Sequence, residues 1–124
     1  MRKAFTVSMA TAKYMAACDY VGIVSGNKEP DKFAKAGFTA IKSEKVNAPV
    51  IKELPVALEC KVKTFEDGIL VGEIVNIVAD ESVMTDGIID IKKLKPISYD
   101  PSSRTYVAMG DVVGKAFSDG LALK

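Results

Sequence analysis

Residues 54–80 read LPVALECKVKTFEDGILVGEIVNIVAD, and this stretch decides the fold. Leu58, Cys60 and Val62 alternate with Glu59, Lys61 and Lys63, the period-two pattern of a strand with one buried face. Asp67-Gly68 is a dipeptide that type I′ turns favour, because both central residues of that turn need positive φ. From Ile69 the chain is again rich in Ile and Val. The segment predicts a β-hairpin in which Glu66 faces Ile69, Val62 faces Glu73 and Cys60 faces Val75. That register places Leu58, Val62, Val75 and Ile77 in the core. It also puts Glu73 on the apolar face, where a carboxylate is costly unless it reaches a rim or a partner.

Upstream, Phe5 and Val7 alternate with Thr6 and Ser8, which predicts a strand over Ala4–Met9. This strand starts almost at residue one, and the expectation is that further structure precedes it. TAKYMAACDYVG follows, with Tyr14, Met15, Cys18 and Val21 at helical spacing, Thr11 as a cap and Gly22 as a stop. Ser25-Gly26-Asn27 is a turn signal. Pro30 suits the first position of a second short helix and Gly37 its end, with Phe33 as the anchor to the core. Residues 38–53 read as irregular, with a short strand at Phe38–Lys42 and a break at Pro49.

Downstream of Glu81 the pattern loosens. IIDIKKLKP predicts a short helical or irregular stretch ending at Pro96. ISYD and TYVAMG read as strands around a turn at Asp100-Pro101-Ser102-Ser103. Many short strands and two small helices predict a mainly antiparallel β-barrel.

The 124 residues fit one domain, 1–124, without an internal repeat. Hydrophobic residues make up 48% and charged residues 27%, a balance that supports a packed core and excludes a disordered chain. Lys plus Arg number 17 against 16 Asp plus Glu, which argues against a nucleic-acid binder. Histidine is absent, so His-based triads and imidazole metal sites are excluded. Two cysteines, Cys18 and Cys60, are too few for a disulfide scaffold, and both fall on apolar faces as small hydrophobes. With no signal peptide and no apolar run near membrane length, the expectation is a reducing cytoplasm and free thiols.

No motif in this chain carries chemistry by itself. Ser25 and the backbone behind it could meet an anion, or form an ordinary turn. Glu29 and Asp31 at the following helix start would repel an anion there. Lys28, Lys32 and Lys35 read as a solvated face. Lys92, Lys93 and Lys95 form a basic cluster too small for a nucleic-acid role.

A resemblance enters at YVGIVSGNKEPDKFAKAGF, residues 20–38. It is similar to the Tyr-x-Gly-x-x-Ser-Gly signature, followed by Asp-Lys-Phe, of flavin reductase-like proteins with the FMN-binding split-barrel fold, the group containing flavoredoxin. KVNAPVIKELPVALECKV, ILVGEIVNIVADE, IDIKKLKPISYD and YVAMGDVVGKAF resemble later family segments in the same order.

The resemblance implies an N-terminally shortened antiparallel split β-barrel with two short helices. Family members carry further strands before AFTVSM, and those strands supply much of the FMN contact. It further implies FMN as cofactor, a reduced nicotinamide nucleotide as electron donor and a homodimer with the flavin near the interface. The activity implied is NAD(P)H-dependent flavin oxidoreduction, in which no protein residue is itself catalytic and no metal is held. On this view Ser25, Gly26 and Asn27 contact the cofactor, Lys28 or Lys32 neutralises phosphate or ring charge, and Tyr99 lies near the ring edge. Lys32 is expected to be exposed, so that its loss would barely affect folding. The competing reading is a shortened, non-catalytic scaffold used in dimerisation or partner binding.

Overall fold

Asp67 and Gly68 both take positive φ, 52° and 76°, so the two-residue type I′ turn forms where the dipeptide stands. The computed structural model describes residues 3–124. The turn joins β4 (Val56–Glu66) to β5 (Ile69–Ala79), and β1 (Ala4–Ser8) pairs with the other edge of β4. All pairings in this three-stranded sheet are antiparallel.

The hairpin register holds near the turn and then departs from the expected one. Glu66 faces Ile69, but Val62 faces Gly72 rather than Glu73, and Cys60 faces Ile74 rather than Val75. Lys63 is the extra residue of one irregularity, and Val75 that of a second, on the opposite strand. The two cancel, so Leu58 again faces Ile77. Between them the strand is slipped by one residue, which exchanges its faces.

A burial pattern that alternation misses lies beside the slip: consecutive residues of β4 are buried, Val56 and Ala57 at 4% and 0% exposure, so both faces of the strand are covered there. Glu59 and Cys60 are consecutive, yet they are 1% and 3% exposed. The expected core set is correspondingly corrected. Leu58 and Val62 are half-buried, whereas Val75 and Ile77 are 36% and 54% exposed. Glu73 is exposed and faces Lys61 across the ladder, which removes the cost of a carboxylate on an apolar face.

Among the described residues there are three further two-stranded sheets: β2 (Ala40–Lys42) with β3 (Pro49–Ile51), β6 (Met84–Thr85) with β7 (Ile88–Ile89), and β8 (Ile97–Asp100) with β9 (Thr105–Ala108). Pro49 does not break the chain; it opens β3, a strand position where proline is tolerated. The sheets are small and antiparallel, and no closed barrel forms among the described residues.

Among the described residues there are three α-helices rather than two: α1 (Met15–Ile23), α2 (Lys32–Lys35) and α3 (Ile91–Leu94). Helix α1 begins later than Thr11 and runs through Gly22. Thr11 is not its cap. It is buried and forms an antiparallel bridge with Pro96.

Val56, Val83 and Leu94 form a buried cluster, with Met9, Ala79 and Ile89 packed against it. Phe38 is buried between Phe33 and Tyr14, at ring-centroid distances of 5.7 and 6.3 Å. Phe33 therefore ties α2 to the body as its spacing predicts. Among the described residues, no helix is long and apolar enough to cross a membrane.

Candidate functional site

The chain leaves α1 at Val24 and turns at once through Ser25-Gly26-Asn27-Lys28. Ser25 organises this turn. Its Oγ accepts from the Asn27 N–H at 3.2 Å, and its carbonyl accepts from the N–H groups of Lys28 and Glu29 at 3.2 and 2.9 Å. Three backbone donors that could have met an anion are therefore directed onto Ser25.

Lys32, the first residue of α2, reaches back over this turn. Its Nζ donates to the carbonyls of Val21 and Val24 at 2.7 and 2.9 Å. These belong to the C-terminal end of α1, where carbonyls lack intrahelical partners and a cation is favoured. Lys32 is thus half-buried and structural, which corrects the expectation of a freely solvated side chain. Gly26 lies over its stem: a methyl group there would sit 3.9 Å from Lys32 Cε and meet nothing closer. The backbone of Gly26 is open to close approach beside an ammonium. Lys28 is exposed, and Lys35 is paired with Glu29 at 2.8 Å.

Tyr99 comes from β8 and is 54% exposed. It faces Tyr106 of β9, with ring centroids 5.7 Å apart and ring planes 53° apart. Tyr106 is a residue the sequence reading missed. Its hydroxyl donates to Asp19 Oδ1 of α1 at 2.6 Å, which pushes the phenol pKa up and fixes the hairpin to the helix. Only a hydroxyl placed opposite Tyr99 in a hairpin register could have signalled this partner.

Helix α1 is therefore the common support, carrying the Ser25 turn and Lys32 at one end and the tyrosine pair on its side. No hydrogen bond or aromatic contact joins Tyr99 to the turn among the described residues. One residue before Asp19, burial raises the pKa of the Cys18 thiol and keeps it protonated, and neither cysteine is in a disulfide.

The sequence profile of the flavin reductase like domain matches residues 1–104. The chain belongs to the flavin reductase-like family. This family chain superimposes on the flavoredoxin of Desulfovibrio vulgaris (Miyazaki F) with a TM-score of 0.89 at 42% identity, covering 96% of itself and 66% of that chain. The flavoredoxin of Methanosarcina acetivorans gives a TM-score of 0.83 at 32% identity, with 96% and 64% covered. An uncharacterized protein of Archaeoglobus fulgidus is 36% identical over 91 residues, which are 70% of the present chain and 50% of that one. The family chain thus spans between 50% and 66% of the length of these relatives.

Proposed function

We propose that this chain is an FMN-binding flavin reductase-like protein. Its function is to pass electrons from a reduced nicotinamide to flavin, or from bound flavin to a further acceptor. Family membership supports the flavin class, and one local observation carries the cofactor reading. A side-chain-free backbone, at Gly26, lies against the ammonium-bearing stem of Lys32. A phosphate or an anionic ring edge needs both a close approach and a positive charge. The exposed Tyr99–Tyr106 pair offers an aromatic surface on the same helix support. Bound flavin would supply the redox chemistry, accepting a hydride with both of its electrons. The residues of this chain would then hold and orient the cofactor and offset its charge.

The turn also gives a specific reason for a second reading, a non-catalytic scaffold. Its Asn27, Lys28 and Glu29 N–H groups are already engaged by Ser25, so few backbone donors remain for a phosphate.

Titration with FMN and riboflavin, followed by flavin fluorescence, separates the two. Lys32→Ala is expected to weaken FMN binding by about 1–2 kcal/mol, with a smaller effect on riboflavin, which lacks the phosphate. The same substitution removes two hydrogen bonds to the end of α1, so the urea midpoint should also fall, by about 1–2 kcal/mol of stability. Equal FMN affinity in the two proteins would remove the phosphate role. Failure of the wild-type chain to bind either flavin would favour the scaffold.

The same proposal includes a homodimer. Ile69, Val71, Ile74 and Ile77 of β5, with Phe65 of β4, are exposed, and β5 is an open sheet edge among the described residues. An apolar edge strand of this kind needs a cover. Sedimentation equilibrium at micromolar concentration is expected to give twice the chain mass, and a clean monomer would rule the dimer out.

A further inference from the structure

A cavity of about 850 Å3 is lined by none of Ser25, Gly26, Asn27, Lys28, Lys32 or Tyr99. It opens where residues 11–14, 52–55, 80–83 and 93–95 converge. Its base is firm. Thr11, Val83 and Leu94 are buried, Thr11 is bridged to Pro96, and the Ala12 N–H donates to the Lys95 carbonyl at 2.9 Å. The size is within the range of small-molecule sites.

The charge on its walls is uneven. Four lysines line it, Lys13, Lys52, Lys93 and Lys95, against two carboxylates, Glu53 and Asp80. Both carboxylates have local partners: Glu53 Oε1 accepts from the Thr39 N–H at 2.6 Å, and Asp80 Oδ1 from the Ser82 N–H at 2.9 Å. Neither forms an ion pair with a wall lysine among the described residues. Lys93 gives one hydrogen bond to the Met84 carbonyl, and Lys13 lies over the Tyr14 ring. The ammonium groups of Lys52 and Lys95 have no hydrogen-bonded partner among the described residues. An excess of two positive charges, supplied from separate segments around a concave and rigid base, is complementary to a compact multiply charged anion.

We infer that this cavity is a second binding site, separate from the flavin site, for a ligand carrying two adjacent phosphate groups. Lysines from three segments match a spread of negative charge better than they match one phosphate. A diphosphate can come from inorganic pyrophosphate or from a nucleoside diphosphate.

Isothermal titration of the whole chain at low salt, with pyrophosphate, ADP and AMP as probes, tests the inference. Pyrophosphate or ADP is expected to bind with a Kd of about 1 mM or tighter, AMP at least about fivefold more weakly, and affinity should fall as salt rises. Tighter binding of ADP than of pyrophosphate would assign the nucleotide source; otherwise the inorganic source is assigned. Lys13→Gln combined with Lys52→Gln should weaken binding at least about tenfold. Lys52→Arg, which keeps the charge, should stay within about threefold, and Lys63→Gln, outside the cavity, should change nothing. No binding by either diphosphate, equal affinity for AMP and ADP, or indifference to the double substitution would each overturn the site. The flavin titration uses different residues and probes, so its outcome is independent of this one.

Discussion

Glu59→Ala should destabilise the protein by about 2–4 kcal/mol, seen as a fall in the urea midpoint. Glu59 is a charged side chain at 1% exposure in the middle of β4. Its two oxygens have separate partners. Ser43 Oγ donates to Oε1, and Asn76 Nδ2 donates to Oε2 at 2.6 Å. Ser43 Oγ in turn accepts from the N–H groups of Lys45 and Val46, so the carboxylate holds the β2–β3 connection against the sheet. Alanine would leave the donors of Ser43 and Asn76 without an acceptor and open a void. Glu59→Gln keeps the volume but turns an amide NH2 towards one of two donors, at a smaller cost of about 1–2 kcal/mol.

The hydroxyl of Ser43 and the amide of Asn76 hold the Glu59 carboxyl below the usual glutamate range. A lowered folded-state pKa means that the unfolded chain binds the proton first on acidification. The contribution is therefore fully present above the unfolded value of about 4.3, and it is lost as pH falls from there through the folded value. Glu59→Gln should lack that part of the acid slope. An unchanged midpoint for Glu59→Ala would mean that the carboxylate is not where the sheet places it.

A methyl group at Gly72 should also be strongly felt, for a steric reason. Its Cβ would collide with the Phe5 ring, at 2.7 Å from Cε1 and closer still to Cζ, while also lying 3.4 Å from the Lys61 carbonyl. Phe5 of β1 lies across the glycine of β5 and closes the gap that a missing side chain leaves. Gly72→Ala is expected to cost about 1–2 kcal/mol and Gly72→Val about 2–3 kcal/mol. The cause can be isolated by a double-mutant cycle. In a Phe5→Ala background the penalty of Gly72→Ala should largely vanish. Additive effects of the two substitutions would exclude the ring as the obstacle.

Legibility in the sequence followed the range of the interaction. Asp67-Gly68 was readable because one dipeptide sets the turn and long alternating strands flank it. Asp86-Gly87 adopts nearly the same backbone, with φ 52° and 79°, yet its strands β6 and β7 are two residues each and carry no period to read. Glu59 was misplaced because alternation assumes a strand with one covered face, whereas β4 is covered on both faces here and Ser43 and Asn76 meet the carboxylate. Lys32 looked solvated because its partners are backbone carbonyls, which have no sequence signature. The Ser25 turn was singled out as a cofactor loop through resemblance, since the residues themselves left an anion contact and an ordinary turn both open. The lysine-lined cavity gathers residues from 11 to 95, and of its lysines only Lys93 and Lys95 stood out in the sequence, as part of a short basic cluster.

The central sheet joins two very different closures. β4 and β5 meet across two residues, whereas β1 pairs with partners about fifty positions away, a much larger loop to close. Local pairing forms before distant pairing, so the hairpin is the template and β1 the late arrival in folding. The same asymmetry applies in reverse when the native protein breathes. The amide of Val62, bonded to the Lys3 carbonyl, should exchange its hydrogen through release of β1 alone. Amides of β5 that bond to β4 should wait for the hairpin itself to open, and equal exchange rates for the two sets would show a sheet that opens as one unit.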